Sequence, residues 1–151
     1  MRDLHAEMDL RQDQAEAIAR GLYAVARADG TVHPREAALI SDFFGAATGG
    51  DTSALSVLER QEKVTGPDLA AHLPTAELRE LFLKTAMLLA YADGTYGVSE
   101  SQLIGEYGAA LGVDPAGLRA MELQVKDFML SQLSHLANAE GVAEVAKGLK
   151  I

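Results

Sequence analysis

Residues 23–40 read YAVARADGTVHPREAALI, and residues 87–104, 64 positions on, read MLLAYADGTYGVSESQLI. Aligned without a gap they agree at eight of eighteen positions: Ala26/Ala90, Ala28/Ala92, Asp29/Asp93, Gly30/Gly94, Thr31/Thr95, Glu36/Glu100, Leu39/Leu103 and Ile40/Ile104. Unrelated segments of this length agree at about one position, so the chain carries an internal duplication. The shared core is Ala-Asp-Gly-Thr, five further residues ending in Glu, then Leu-Ile. It sets an Asp and a Glu seven residues apart in each copy, across a helix–turn–helix corner.

The flanks give each corner its helices. Ala15, Ile18, Leu22 and Val25 recur at helical spacing over 11–28, with Gln, Glu and Arg on the opposite face. Asp29-Gly30 ends that helix, since Gly tolerates the left-handed backbone just past a helix end; Gly94 has the same place after the helix predicted over 76–92. Pro34 suits the first turn of a second helix and Glu36 sits where an acid favours exposed N–H groups. That helix turns Leu39, Ile40, Phe43 and Phe44 inward and stops near Thr48-Gly49-Gly50. Residues 54–63 read as a short polar helix, Gly66-Pro67-Asp68 as a turn, and Leu69–Leu73 as one or two helical turns. A helix over about 100–111 carries Leu103, Ile104 and Tyr107 and stops at Gly112. Asp114 caps a last long helix with Pro115 at its first position, Val113 against Leu118 as a staple, and Leu118, Met121, Val125, Phe128, Met129 and Leu136 as a buried stripe. A weaker segment, 139–149, reads as a final short helix. No strand pattern and no linker interrupt this order. The expectation is one all-α domain over residues 1–151, with 17–47 and 81–111 as matching helix pairs.

Composition narrows the function. The 151 residues carry 48 % hydrophobic and 5 % aromatic side chains, no Trp and no Cys. An interior of Ala, Leu, Val and Ile suits closely packed helices. A net charge of −9 argues against nucleic acid or anionic lipid, both of which need clustered Lys and Arg, and favours cations or a basic protein surface. Without Cys there is no disulfide framework, thiolate metal site or thiol nucleophile. The opening MRDLHAEMDL lacks an apolar targeting core, and Leu81–Ala92 is too short to span a bilayer. A cytoplasmic protein without direct membrane insertion is the expectation.

The corners share half of a calcium-loop template. In an EF-hand loop, Asp at position 5, Gly at 6, an apolar residue at 8 and Glu at 12 match Asp29, Gly30, Val32 and Glu36, and again Asp93, Gly94, Tyr96 and Glu100. Positions 1 and 3 are Val25 and Arg27 in one copy and Leu89 and Tyr91 in the other, which are not ligands. A working single-loop EF-hand is excluded. Asp29 and Asp93 each close a helix, where the macrodipole disfavours a negative charge by roughly 0.3–1 kcal/mol. A hard cation such as Ca²⁺ would compensate it, and so would a local Asx hydrogen bond in a purely structural turn. If the corners lie close, Asp29, Glu36, Asp93 and Glu100 form one composite site; if apart, each offers two carboxylates. A shifted alignment, with Ser99 and Gln102 as a capping box, competes with the ungapped one. The ungapped match keeps the apolar phase and is preferred. His5, His33, His72 and His135 have no ligand spacing and read as solvated or capping. No phosphate loop, nucleophile elbow or catalytic triad order is present, so no enzyme is expected.

A duplicated helix–Ala-Asp-Gly–turn–Glu–helix, carried by ARADGTVHPREAALI and AYADGTYGVSESQLI, resembles the TerB-like family of tellurite-resistance proteins. The relatives of that family include the N-terminal region of a membrane-anchored DnaJ co-chaperone. The likeness covers most of residues 10–137. It implies a TerB-like helical bundle with two pseudo-repeated helix pairs, acting as a non-enzymatic binding module for a protein partner in stress-response complexes near the membrane. It also implies Asp29, Glu36, Asp93 and Glu100 as divalent-metal ligands. The Tyr96-Gly97-Val98-Ser99 turn is longer than the family pattern. The purely structural alternative is a subunit of a larger assembly with no metal site; neither reading fixes the oligomeric state.

Overall fold

The computed structural model describes residues 10–30, 32–50, 52–60, 63–91 and 97–138. Within them the chain forms α1 (Gln12–Ala26), a 3-10 turn (Arg27–Asp29), α2 (Pro34–Ala47), α3 (Leu55–Arg60), α4 (Gly66–His72), α5 (Ala76–Ala90), α6 (Val98–Ala110) and α7 (Pro115–Asn138). No strand occurs among the described residues, so the fold is all-α. The segment 139–149 lies outside them.

The molecule is arranged around α1, which touches α2, α3, α4, α5 and α6. Its anchors Ala15, Ile18, Leu22 and Val25 are fully buried, and Ala17, Ala19, Ala24 and Ala26 are buried on its other sides. Small side chains let several helices approach one axis. Gly21 is the extreme case. A Cβ there would stand 2.6 Å from Cε1 of the fully buried Phe82, so only glycine permits this crossing of α1 and α5.

Helix ends follow local chemistry. The hydroxyl of Thr75 accepts the N–H of Leu78 at 3.2 Å, and Asp114 accepts that of Gly117 at 2.8 Å. Gly66-Pro67-Asp68, read as a turn, is instead the first turn of α4: Thr65 caps it by accepting the Asp68 N–H at 3.2 Å, and proline is tolerated where no intrahelical N–H is needed. The Arg79 guanidinium gathers the ends of two helices. It donates to the carbonyls of Leu73 at 2.6 Å, Leu111 at 3.1 Å and Ala70 at 3.3 Å, at the ends of α4 and α6.

The last helix is less buried than its sequence stripe predicts. Val125 is buried, but Leu118, Met121, Phe128 and Met129 are only half-buried, and Leu123 and Leu130 are exposed. α7 packs on α5 and α6 from one side, with no further helix over it among the described residues. The Leu136 side chain lies outside the described set.

Candidate functional site

The helix ends on either side of the two corners agree among the described residues. From Gln12 to Ala76 and from Ala26 to Ala90 is 64 residues, so α1 and α5 begin and end in the same register; α2 and α6 also begin 64 residues apart, at Pro34 and Val98. The residues after α1 and α5 have nearly the same backbone, φ −84° and ψ −1° at Arg27 and φ −87° and ψ −5° at Tyr91. The residues before α2 and α6 also agree, with φ −77° and ψ 154° at His33 and φ −70° and ψ 161° at Gly97.

Glu36 and Glu100 hold the third position of their helices. Glu36 Oε1 accepts the His33 N–H at 2.9 Å, and Glu100 Oε1 accepts the Gly97 N–H at 3.0 Å. Both are shut away from water, at 0 % and 2 % exposure. This is the reaching-back half of a capping box; it supplies a partner to the backbone that enters the helix and sets negative charge at the positive end of the dipole. Glu100 therefore does locally what Glu36 does, and Ser99 is not the cap. One further fact weighs on the acids' purpose. Gln14, buried at the third position of α1, accepts the Arg11 N–H at 3.1 Å. A neutral side chain performs the same capping.

Asp29 closes the 3-10 turn rather than the α-helix, because the ladder tightens over the last three residues before the glycine. Gly30 has φ 115°, the positive angle expected of it, and its N–H donates to the Arg27 carbonyl at 2.9 Å. The Asp29 side chain, Asp93, Gly94 and Tyr96 lie outside the described residues. Among the described residues no three His, Asp or Glu side chains gather as a metal-binding group. The 3-10 turn packs on α6, which brings the first corner beside the helix that Glu100 opens.

The side chains next to the corners set two different surfaces. Arg27 Nη1 donates to the Glu59 carbonyl at the end of α3, and its guanidinium lies 6.0 Å from the centre of the Tyr23 ring. The Tyr23 phenol is pushed up by burial and then by Glu59, while Arg27 pulls it down. Beside Arg27 opens a cleft of about 540 Å³, lined by Arg27, Arg60, Lys63, Ser99, Gln102 and Glu106. At the second corner, Tyr91 donates to Glu122 on α7 at 2.8 Å, and Lys126 pairs with Glu122 at 3.5 Å. Burial, then the Glu122 carboxylate, raises the Tyr91 phenol. The cleft at this corner is about 620 Å³, and Tyr91 and Glu122 are the ionisable residues among its described lining.

Sequence reasoning did not single out Arg27, Arg60 and Lys63. Arg60 and Lys63 lie in a segment with no motif, Arg27 sits within the repeat only as a non-ligand of the calcium template, and the return of α3 against α1 brings them together. His72 does act locally, its Nδ1 lying 2.9 Å from the Asp68 carbonyl. Comparison with protein-family models, with the curated proteins and with the solved structures gave no match to this chain.

Proposed function

We propose that this chain is a non-enzymatic, TerB-like helical binding module of two pseudo-repeated helix pairs, which takes up a divalent cation at its Asp-Gly corners and docks on a protein partner. In that reading the cation is Ca²⁺, the ligands come from Asp29, Glu36, Asp93 and Glu100, and the setting is a cytoplasmic stress-response complex held at the inner face of the membrane through the partner. The observation that carries the proposal is the matched burial of Glu36 and Glu100, each directed back at the turn that holds its Asp-Gly. Gln14 caps a helix without a charge, so capping alone does not account for an acid at both corners.

With two to four carboxylates and no complete ligand loop, affinity should be weak, roughly 10⁻⁴–10⁻³ M, and Mg²⁺ should compete poorly because it demands stricter geometry. Calorimetry with millimolar Ca²⁺ on the wild type and on Asp29→Asn, Asp93→Asn, Glu36→Gln and Glu100→Gln tests it. Loss of binding in any single aspartate variant marks one composite site; loss of half the stoichiometry marks two. The glutamine variants should keep their cap and their metal-free stability while losing Ca²⁺. No heat and no thermal stabilisation of the wild type would sink the cation reading. What would then stand is a structural interaction domain whose corners are turns.

A further inference from the structure

We propose that the cleft beside the first corner binds a small phosphorylated polyol or sugar, with its phosphate monoester held by Arg27, Arg60 and Lys63. The chain as a whole carries −9, yet among the described residues that line this cleft three are cations and one, Glu106, is an acid. That inversion fits one dianionic phosphate. A long polyanion would run out of the cleft onto an acidic surface. The size agrees: about 540 Å³ falls inside the range of roughly 300–1,000 Å³ usual for small-molecule sites.

The walls divide the labour. Arg27 is held by the Glu59 carbonyl and lies near the Tyr23 ring, so its planar fork is oriented before a ligand arrives. Arg60 and Lys63 are exposed and add charge from the end of α3 and the segment after it. The opposite wall is one face of α6, where Ser99, Gln102, Leu103 and Glu106 recur at helical spacing. Ser99 and Gln102 both donate and accept, and the Glu106 carboxylate accepts from a hydroxyl. Glu106 also repels a second anionic group, which favours a monoester with free hydroxyls over a polyphosphate. The apolar part of the described lining is Ala24, Ala28 and Leu103.

The test is calorimetry with glucose 6-phosphate, inorganic phosphate, glucose and a phosphoserine peptide, in EDTA and at low salt. Because EDTA removes divalent cations, the outcome is independent of the cation proposal. Glucose 6-phosphate should bind, glucose should not, and affinity should fall as salt screens the charges. Arg60→Ala and Lys63→Ala, both at exposed positions, should each weaken glucose 6-phosphate by about tenfold, the usual scale of one charge-assisted contact, with unchanged melting curves. Glu106→Gln should weaken the sugar phosphate while leaving inorganic phosphate unchanged or tighter. Absence of heat with millimolar glucose 6-phosphate, or undiminished binding in the Arg60→Ala/Lys63→Ala double variant, would overturn the proposal. Tighter binding of the phosphoserine peptide than of glucose 6-phosphate would overturn the small-ligand assignment.

Discussion

The first corner leans on α3 through Arg27; the second leans on α7 through Tyr91. Their backbones agree within a few degrees where each first helix ends and each second helix starts, and the same glutamate reaches back in both. The divergence sits in the side chain just after the first helix. At the first corner it helps to line a basic cleft, and at the second it joins a phenol–carboxylate–ammonium chain beside an acidic one. Both second helices open on the same backbone geometry and the same buried acid. What the corner presents to its surroundings depends on one further residue and on the helix it reaches.

That comparison can be broken most directly at its shared glutamates. Glu36→Ala and Glu100→Ala should each destabilise the domain by about 1–2 kcal/mol, since each leaves a helix-entry N–H without its carboxylate and opens a hole in a buried position. The two losses should be similar, because each variant removes the same helix-entry hydrogen bond at matched burial. Urea titration checks this, and a large inequality would show that one acid does more than cap. A smaller effect is expected at the glycines. Gly30→Ala should cost on the order of 1 kcal/mol through its positive φ alone, because a Cβ there meets nothing within 4 Å. Gly94→Ala should match it if the second turn repeats the first, and an unshifted melting temperature for either would separate the corners.

The smallest effect falls where the corners differ. Tyr91→Phe removes one half-exposed hydrogen bond and should cost about 0.5–1 kcal/mol. The folded chain holds the Tyr91 proton above the phenol's ordinary value of 10.0, through burial and then Glu122. The unfolded chain releases it first, so this contribution to stability is present below pH ~10 and is lost as pH rises through the folded value. Tyr107, pushed up to about 12 by its burial, adds a fall of the same sign in both proteins. Wild type and Tyr91→Phe should therefore converge in stability as the pH is raised, and a difference constant with pH would count against the Tyr91–Glu122 coupling.

Much of the fold was legible because it rests on local chemistry. The apolar spacing of α1, the Pro34 start of α2 and the Asp114 cap all act within one turn of the residues that signal them. The 3-10 tightening at Arg27–Asp29 was not legible, since the sequence marks where a helix stops and not how its last turn winds. Thr65 was overlooked because Gly66-Pro67 resembles a turn until an N-cap is recognised in front of it. Helical spacing likewise identifies the face of α7 that turns inward, but not how many neighbours cover it. The candidate site divides the same way. Glu36 and Glu100 could be found from their spacing to Asp-Gly. Arg60 and Lys63 could not, because Arg27, which lines the same cleft, is more than thirty residues away in the chain.

Arg79 has a consequence for how the domain opens. One guanidinium serves carbonyls at the ends of α4 and α6, segments that begin 32 residues apart at Gly66 and Val98. Unwinding the last turn of either helix strips acceptors from a cation that the other still holds. Fraying at the two ends is thereby linked, and local opening there becomes a shared event. Amide hydrogens in the final turns of α4 and α6 should exchange with solvent as one group, and replacing Arg79 should let the two sets drift apart before global unfolding changes.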